Sequence, residues 1–192
     1  LDEVNAIGHR VLHGGDKLTA STIIDENVKA KVREFIKFGP LHNPANLMGI
    51  EACESLVPGK QNVAVFDTAF HQTMPARTFM YAIPYEYYED YRLRKFGFHG
   101  TSHRYVTLRT AELLKTDKKN LNIITVHLGN GSSIAAIKNG ECYDTTMGLT
   151  PLEGLVMGTR CGDIDPAIVT FLQDAENLTS DQVNDIMNKK SG

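Results

Sequence analysis

The string His127-Leu128-Gly129-Asn130-Gly131-Ser132-Ser133 follows the apolar run Ile123 to Val126 and precedes a second one, Ile134 to Ile137. A strand that ends in two glycines and reverses into another presents backbone N–H groups with no side chains in the way. Glycine tolerates positive φ, so successive amides can point into one anion-binding concavity. The pattern fits a phosphate loop, and a plain hairpin closure uses the same residues. Four more places set a polar residue behind an apolar strand or inside a glycine-rich turn: His9-Arg10 with His13, Asp67 after Val63 to Phe66, His99 in Phe96-Gly97-Phe98-His99-Gly100, and Arg160 in Gly158-Thr159-Arg160-Cys161-Gly162-Asp163. Sites in α/β folds assemble at such positions. Arg10, flanked by Ile7, Val11 and Leu12, either pairs with an acid or binds an anionic ligand, because an unpaired buried guanidinium is costly. Asp67 has the place of a strand-end cap. The glycines around His99 free the backbone to present its ring. His42, His71 and His103 show no metal-ligand pattern, and no metal ligand is assigned.

The order of elements says how these groups are positioned. Val4 to Leu12 reads as a buried strand ending in the turn Gly14-Gly15-Asp16, and Thr19 to Ile24 as a shorter strand. Val28, Val32, Phe35 and Ile36 recur at helical spacing, with Asp25 to cap the helix and Gly39-Pro40 to stop it. Asn43 as N-cap before Pro44 opens a second helix towards Leu56. Asn62 to Phe66 is the next strand, and this order indicates an α/β domain with a partly parallel sheet. The segment Thr68 to Phe98 is rich in aromatics and prolines and reads as a packed connection, its rings filling core and interface. Thr101 or Ser102 caps a helix to about Lys115 with Val106, Leu113 and Leu114 on its apolar side. A new sheet follows: Ile123 to His127, then Ser133 to Lys138 and Glu141 to Thr146 around the Asn139-Gly140 turn. Asp165-Pro166 starts a helix carrying Ile168, Val169, Phe171 and Leu172, and Thr179 with Gln182 forms a capping box for the last one.

Composition narrows the partners. The 192 residues are 42% hydrophobic with a formal net charge of −3, which suits a globular protein. Lysines and arginines are scattered among acids without a basic stripe, so small molecules are expected and nucleic acid is not. No apolar stretch nears the roughly 20 residues that cross a bilayer, and no signal-peptide pattern opens the chain, so a cytoplasmic location is expected. Cys53, Cys142 and Cys161 read as reduced, mostly buried thiols, with Arg160 the one neighbour that would lower the pKa of Cys161.

Gly8 to Gly15, Leu41-His42-Asn43-Pro44, Val65 to His71, Phe96 to His103, His127 to Ser133 and Met157 to Pro166 together resemble acetate kinase, in that family's order and across essentially the whole chain. The resemblance implies an α/β, two-lobed, actin-like (ribonuclease H-like) ATPase fold, shared with sugar kinases and heat-shock ATPases, with a cleft between lobes. Residues 1–68 would end the first lobe, on the acyl side, and 69–192 would begin the second, on the nucleotide side. It also implies an internal piece: a first strand and phosphate turn before Leu1, adenine-binding loops and a magnesium-binding glutamate after Gly192.

The implied reaction moves the γ-phosphoryl group of ATP to acetate, with Mg2+ as cofactor, giving acetyl phosphate and ADP; the family is commonly homodimeric. The acceptor is already ionised at neutral pH, so the obstacle is repulsion, not proton removal. Two unit charges at 4 Å repel by about 4 kcal/mol at an effective dielectric near 20. Arginines and hydrogen-bond donors around the transferring group answer that need. By resemblance, Arg10 and Arg160 flank the acetyl and phosphoryl groups, and His99 donates to the transferring group. His127, Leu128, Gly129, Asn130 and Gly131 hold the nucleotide phosphates. Leu12, Leu41, Phe98 and Pro151 enclose the methyl group, with leucine at position 12 where many relatives carry valine. Asp67 is the family's acid/base residue, yet an ionised acceptor leaves it free to orient Arg160 or a magnesium-bound water. The alternatives are a propionate or butyrate kinase, and a non-catalytic, dimerising fragment.

Overall fold

The computed structural model describes residues 1, 3–40 and 42–192. Strand β1 (Ala6–Val11), the two-residue β2 (Thr22–Ile23), helices α1 (Glu26–Glu34) and α2 (Asn43–Leu56), and β3 (Gln61–Phe66) form the first unit. β1 runs parallel to β3, with Arg10 beside Val65 and Val11 beside Phe66, while β2 pairs antiparallel on the other edge of β3. Parallel neighbours need a crossover, and the two helices supply it. Val11, Val28, Val32, Leu47, Ile50, Ala64 and Phe66 close the core between helices and sheet. Asp25 caps α1 as expected, its carboxylate accepting from the Val28 N–H at 2.7 Å.

At α2 the cap is one residue earlier than expected. His42 is the N-cap and Asn43 is the first helical residue. The Asn43 side chain is fully buried, accepting from His13 N–H at 3.1 Å and donating to the carbonyls of His13 and Val32. It ties the end of β1 to both helices, a use that its neighbours in sequence do not reveal.

The connection after β3 holds short helices α3 (Ala76–Phe79) and α4 (Glu86–Tyr91). Its aromatics divide: Phe70 and Phe79 pack on the second core, but Tyr85, Tyr87 and Tyr91 are 55%, 42% and 54% exposed, contrary to the expected filling role. Helix α5 (Gly100–Leu113) then lies between the two sheets, touching β3 and β4 (Asn122–Leu128). Its buried face is His103, Thr107 and Ala111, whereas Leu113 and Leu114 are 75% and 63% exposed and Val106 also faces out. The apolar residues misled because this helix buries polar groups against partners. His99, not Thr101 or Ser102, is its N-cap, in the left-handed region at φ 57°.

β4, β5 (Ser132–Lys138) and β6 (Glu141–Thr145) form the second, antiparallel sheet, with Asn139 and Gly140 at φ 54° and 74° in the turn between the last two. Helix α6 (Ala167–Glu176) buries no residue, and Phe171 is 68% exposed. α7 (Ser180–Lys189) starts with the expected Thr179–Gln182 capping box. No described helix is long and apolar enough to cross a membrane.

Candidate active site

Register brings the first groups together. Because β1 and β3 end side by side, Asp67 emerges next to Arg10 and holds it with two bonds, Nε to Oδ1 at 2.9 Å and Nη2 to Oδ2 at 2.5 Å. The Asp67 side chain is buried and that of Arg10 is 65% exposed, so the pair fixes one side of the arginine fork while the side chain stays open to solvent. The hydrogen-bonded carboxylate raises the Arg10 pKa above its ordinary value. Asp67 is therefore paired with Arg10, where the expectation offered Arg160 or a magnesium-bound water.

The helix start sets the second group. Gly100 N–H donates to the Asp67 carbonyl at 2.9 Å, and a Cβ on Gly100 would collide with that same carbonyl. This contact turns the chain sharply enough to place His99 in the left-handed region, a conformation costing about 1–2 kcal/mol for an L-residue. The His99 ring stacks on His127 with centroids 4.0 Å apart, and its Nδ1 meets Ser133 Oγ at 2.8 Å. Burial, with His127 adding, lowers His99 to a pKa of about 4, so the ring is neutral near pH 7.

The loop between β4 and β5 supplies the third. Gly129 and Gly131 adopt no positive φ, so the conformational argument for glycine fails here. What matters is the missing side chain. A Cβ on Gly131 would stand 3.3 Å from both Arg160 Nη1 and His99 Nε2, so these two polar ends converge on a backbone position kept bare. The Gly158 N–H donates to the Asn130 carbonyl at 3.1 Å, which folds the Arg160 segment against the loop. Arg160 donates to the Pro151 carbonyl at 2.9 Å and lies 3.7 Å from Met157 Sδ; burial lowers its pKa.

A cavity of about 490 Å³ is lined by Arg10, Asp67, His99, His127, Gly129, Asn130 and Gly131, seven of the residues singled out from sequence. Thr101, Ser102 and Tyr105 line it too, and they carried no sequence signal beyond their place at a helix start. Leu128 stands apart: strand alternation turns its side chain outward, 74% exposed. Leu12 and Phe98 form a buried apolar group with Met147 and Met157, linked to Arg160 through Met157. Leu41 lies outside the described residues. His42, passed over in the sequence, feels both arginines: burial and the charges of Arg160 and Arg10 lower its pKa.

A further histidine supports the site from behind. His71 is fully buried, donates from Nε2 to the Phe98 carbonyl at 2.8 Å and is lowered to about 3 by burial. Its Nδ1 then accepts from Cys142, whose thiol burial pushes up to about 12. Burial also raises Cys161, overriding any effect of Arg160, so both thiols stay protonated. No three His, Cys, Asp or Glu side chains converge on a metal-sized site among the described residues, and both Asp67 oxygens are engaged by Arg10. These residues do not by themselves fit a magnesium ion.

The chemistry available is anion binding: Arg10 and a neutral imidazole line one opening, and Arg160, which does not line it, reaches Gly131 at its edge. The family model for the acetokinase family matches residues 1–192. The acetate kinase of Finegoldia magna is 78% identical over 192 residues, all of this chain and 48% of that protein. That of Caldicellulosiruptor saccharolyticus is 62% identical over the same span, again 48% of its length. The chain thus spans about half the length of the curated relatives it matches. Among solved structures, Porphyromonas gingivalis acetate kinase superposes with a TM-score of 0.94 at 53% identity, covering all of this chain and 48% of that one. A propionate kinase from Francisella tularensis does so with 0.96 at 47%, covering all of this chain and 49% of that one. These structures have the actin-like ATPase fold, and the mixed α/β architecture here is about half of it. With its whole length matched, the chain belongs to the acetokinase family.

Proposed function

We propose that this chain carries the transfer cleft of an acetate kinase, in which the γ-phosphoryl group of ATP passes directly and reversibly to acetate. The convergence of Arg160 Nη1 and His99 Nε2 on the bare backbone of Gly131, at the edge of the cavity that His99 and Arg10 line, is the observation that carries this reading. An acetate oxygen attacks the γ-phosphorus in line, a P–O bond forms, and the bond to the ADP oxygen breaks. No proton moves. Arg10, held by Asp67, binds the acceptor carboxylate with its planar fork. Arg160 and His99 contact the equatorial oxygens, where charge placed in advance stabilises the transition state. Gly129, Asn130 and Gly131 with His127 hold the nucleotide phosphates, and Leu128 contributes only backbone. Mg2+ accompanies the nucleotide, bound by groups other than the Arg10-held carboxylate. In this reading residues 1–68 belong to the acyl-side lobe and 69–192 to the nucleotide-side lobe.

Leu12, Phe98 and the Pro151 turn, with Leu41, bound the methyl group. The propionate kinase neighbour makes propionate the competing acceptor. Leu12 is only 7% exposed and is one methylene longer than valine, which contracts that space. A form extended to the relatives' full length should convert ATP and acetate to acetyl phosphate. It should favour acetate over propionate in kcat/KM by about 10- to 200-fold. Equal values would remove the acyl preference, and no phosphorylation of either acid would reject the reading. The 192-residue chain, assayed alongside, separates a self-sufficient cleft from the non-catalytic alternative.

A further inference from the structure

Behind His99 runs an unbroken series of short contacts. His99 Nδ1 meets Ser133 Oγ at 2.8 Å, Ser133 Oγ meets His103 Nε2 at 2.8 Å, and His103 Nδ1 meets Thr125 Oγ1 at 2.8 Å. At the start of α5 the His103 N–H donates to the carbonyl of the N-cap His99 at 3.0 Å, which keeps the two residues together, and β4 and β5 supply the hydroxyls. Thr125, His103 and Ser133 are 2%, 1% and 0% exposed, so water does not interrupt the series. Both rings are neutral near pH 7, since burial lowers each to about 4. Each ring therefore carries one proton, and each hydroxyl donates once.

We propose that Thr125, His103 and Ser133 are positioning residues that decide which nitrogen of His99 carries its proton, and that an anion in the cavity sets the whole series to make Nε2 the donor. Only two orders satisfy the buried Ser133 hydroxyl. In the inward order, His99 Nδ1–H donates to Ser133, Ser133 donates to His103 Nε2, and His103 Nδ1–H donates to Thr125. The Thr125 hydroxyl is then left with the Ala135 carbonyl at 3.5 Å, the outer limit of a hydrogen bond. In the outward order every donor reverses. Thr125 donates to His103 Nδ1, His103 Nε2–H to Ser133, and Ser133 to His99 Nδ1, leaving His99 Nε2–H facing Gly131 and the cavity. Any mixed order buries a hydroxyl proton without an acceptor or sets lone pair against lone pair. The two orders hold the same three 2.8 Å bonds and differ at their ends. A weak inner bond opposes whatever acceptor occupies the cavity, and a phosphoryl oxygen, which only accepts, selects the outward order. No proton is gained or lost.

The inference rests on His99 as the donor to the transferring phosphoryl group, and its test separates the two. Nitrogen-15 spectra of the histidine-labelled full-length protein with inorganic phosphate should show His99 and His103 both protonated at Nε2. Protonation of phosphate-bound His99 at Nδ1 overturns the inference, and this spectrum needs no variant. Ser133→Ala should uncouple the two rings and lower kcat about tenfold to hundredfold, the worth of one hydrogen bond to a charged group, while nucleotide KM moves by no more than about threefold. His103→Gln can present an amide N–H where His103 Nε2–H stood, with its carbonyl towards Thr125, and so permits the outward order; it should keep most of the turnover that Ser133→Ala loses. An unchanged His99 tautomer and kcat in Ser133→Ala contradict the proposal. Normal turnover in His99→Ala would instead sink the phosphoryl-donor role, leaving the proton order of the native protein to the spectrum.

Discussion

Arg160→Ala should lower kcat about a thousandfold in the full-length protein while nucleotide KM changes by only a few-fold, as expected when a cation acts on charge that develops in transfer. The side chain is half-buried, with Nη1 already committed to the Pro151 carbonyl at 2.9 Å. That bond fixes the fork and leaves its other donors for the phosphoryl oxygens. Lysine offers a single ammonium point and cannot hold the Pro151 carbonyl and a planar group together, so Arg160→Lys should recover little. Steady-state kinetics, with a thermal melt to confirm folding, checks both variants. Turnover at the native rate in Arg160→Ala would remove Arg160 from the transition state.

Asp67→Ala should reduce kcat/KM for acetate about a hundredfold, the scale of a misplaced binding group. The reason is loss of the two bonds that aim Arg10, not loss of a base. Arg10→Ala should cost a similar factor. If the carboxylate acts through the arginine, the double variant Arg10→Ala with Asp67→Ala should be scarcely worse than either single one. Multiplying costs would give Asp67 a separate duty. An acidic limb in the kcat profile that vanishes in Asp67→Ala alone would restore it as a base.

Much of this arrangement was legible beforehand, and the misses have physical reasons. Strands β1, β3, β4 and β5 were marked by apolar runs and β6 by the Asn139-Gly140 turn before it, and the Asp25 cap and Thr179–Gln182 box carry local chemistry that tertiary contacts did not override. Helix α5 failed because its inner face is His103, Thr107 and Ala111, so hydropathy pointed to the exposed side. Asn43 failed because a buried amide serving three backbone groups looks in sequence like an ordinary cap. The clustering of Arg10, Asp67, His99 and the glycine loop followed from the rule that sites form beyond strand ends. Which acid met which arginine did not, because that depends on β1 and β3 being parallel and in register. His103 and Ser133 were passed over for a related reason: their roles exist only once helix and sheet are packed.

In the proposed reaction four groups from separated stretches of chain, Arg10, His99, Arg160 and the Gly129–Gly131 loop, face one pair of anions. Its most direct test is a crystal structure of the full-length protein trapped with ADP, acetate and a planar fluoride mimic of the transferring phosphoryl group. Arg160 and His99 Nε2 should lie within hydrogen-bond distance of the mimic beside Gly131, with Arg10 on the acetate. A mimic bound away from Arg160 and His99, with Arg10 facing only solvent, would contradict it.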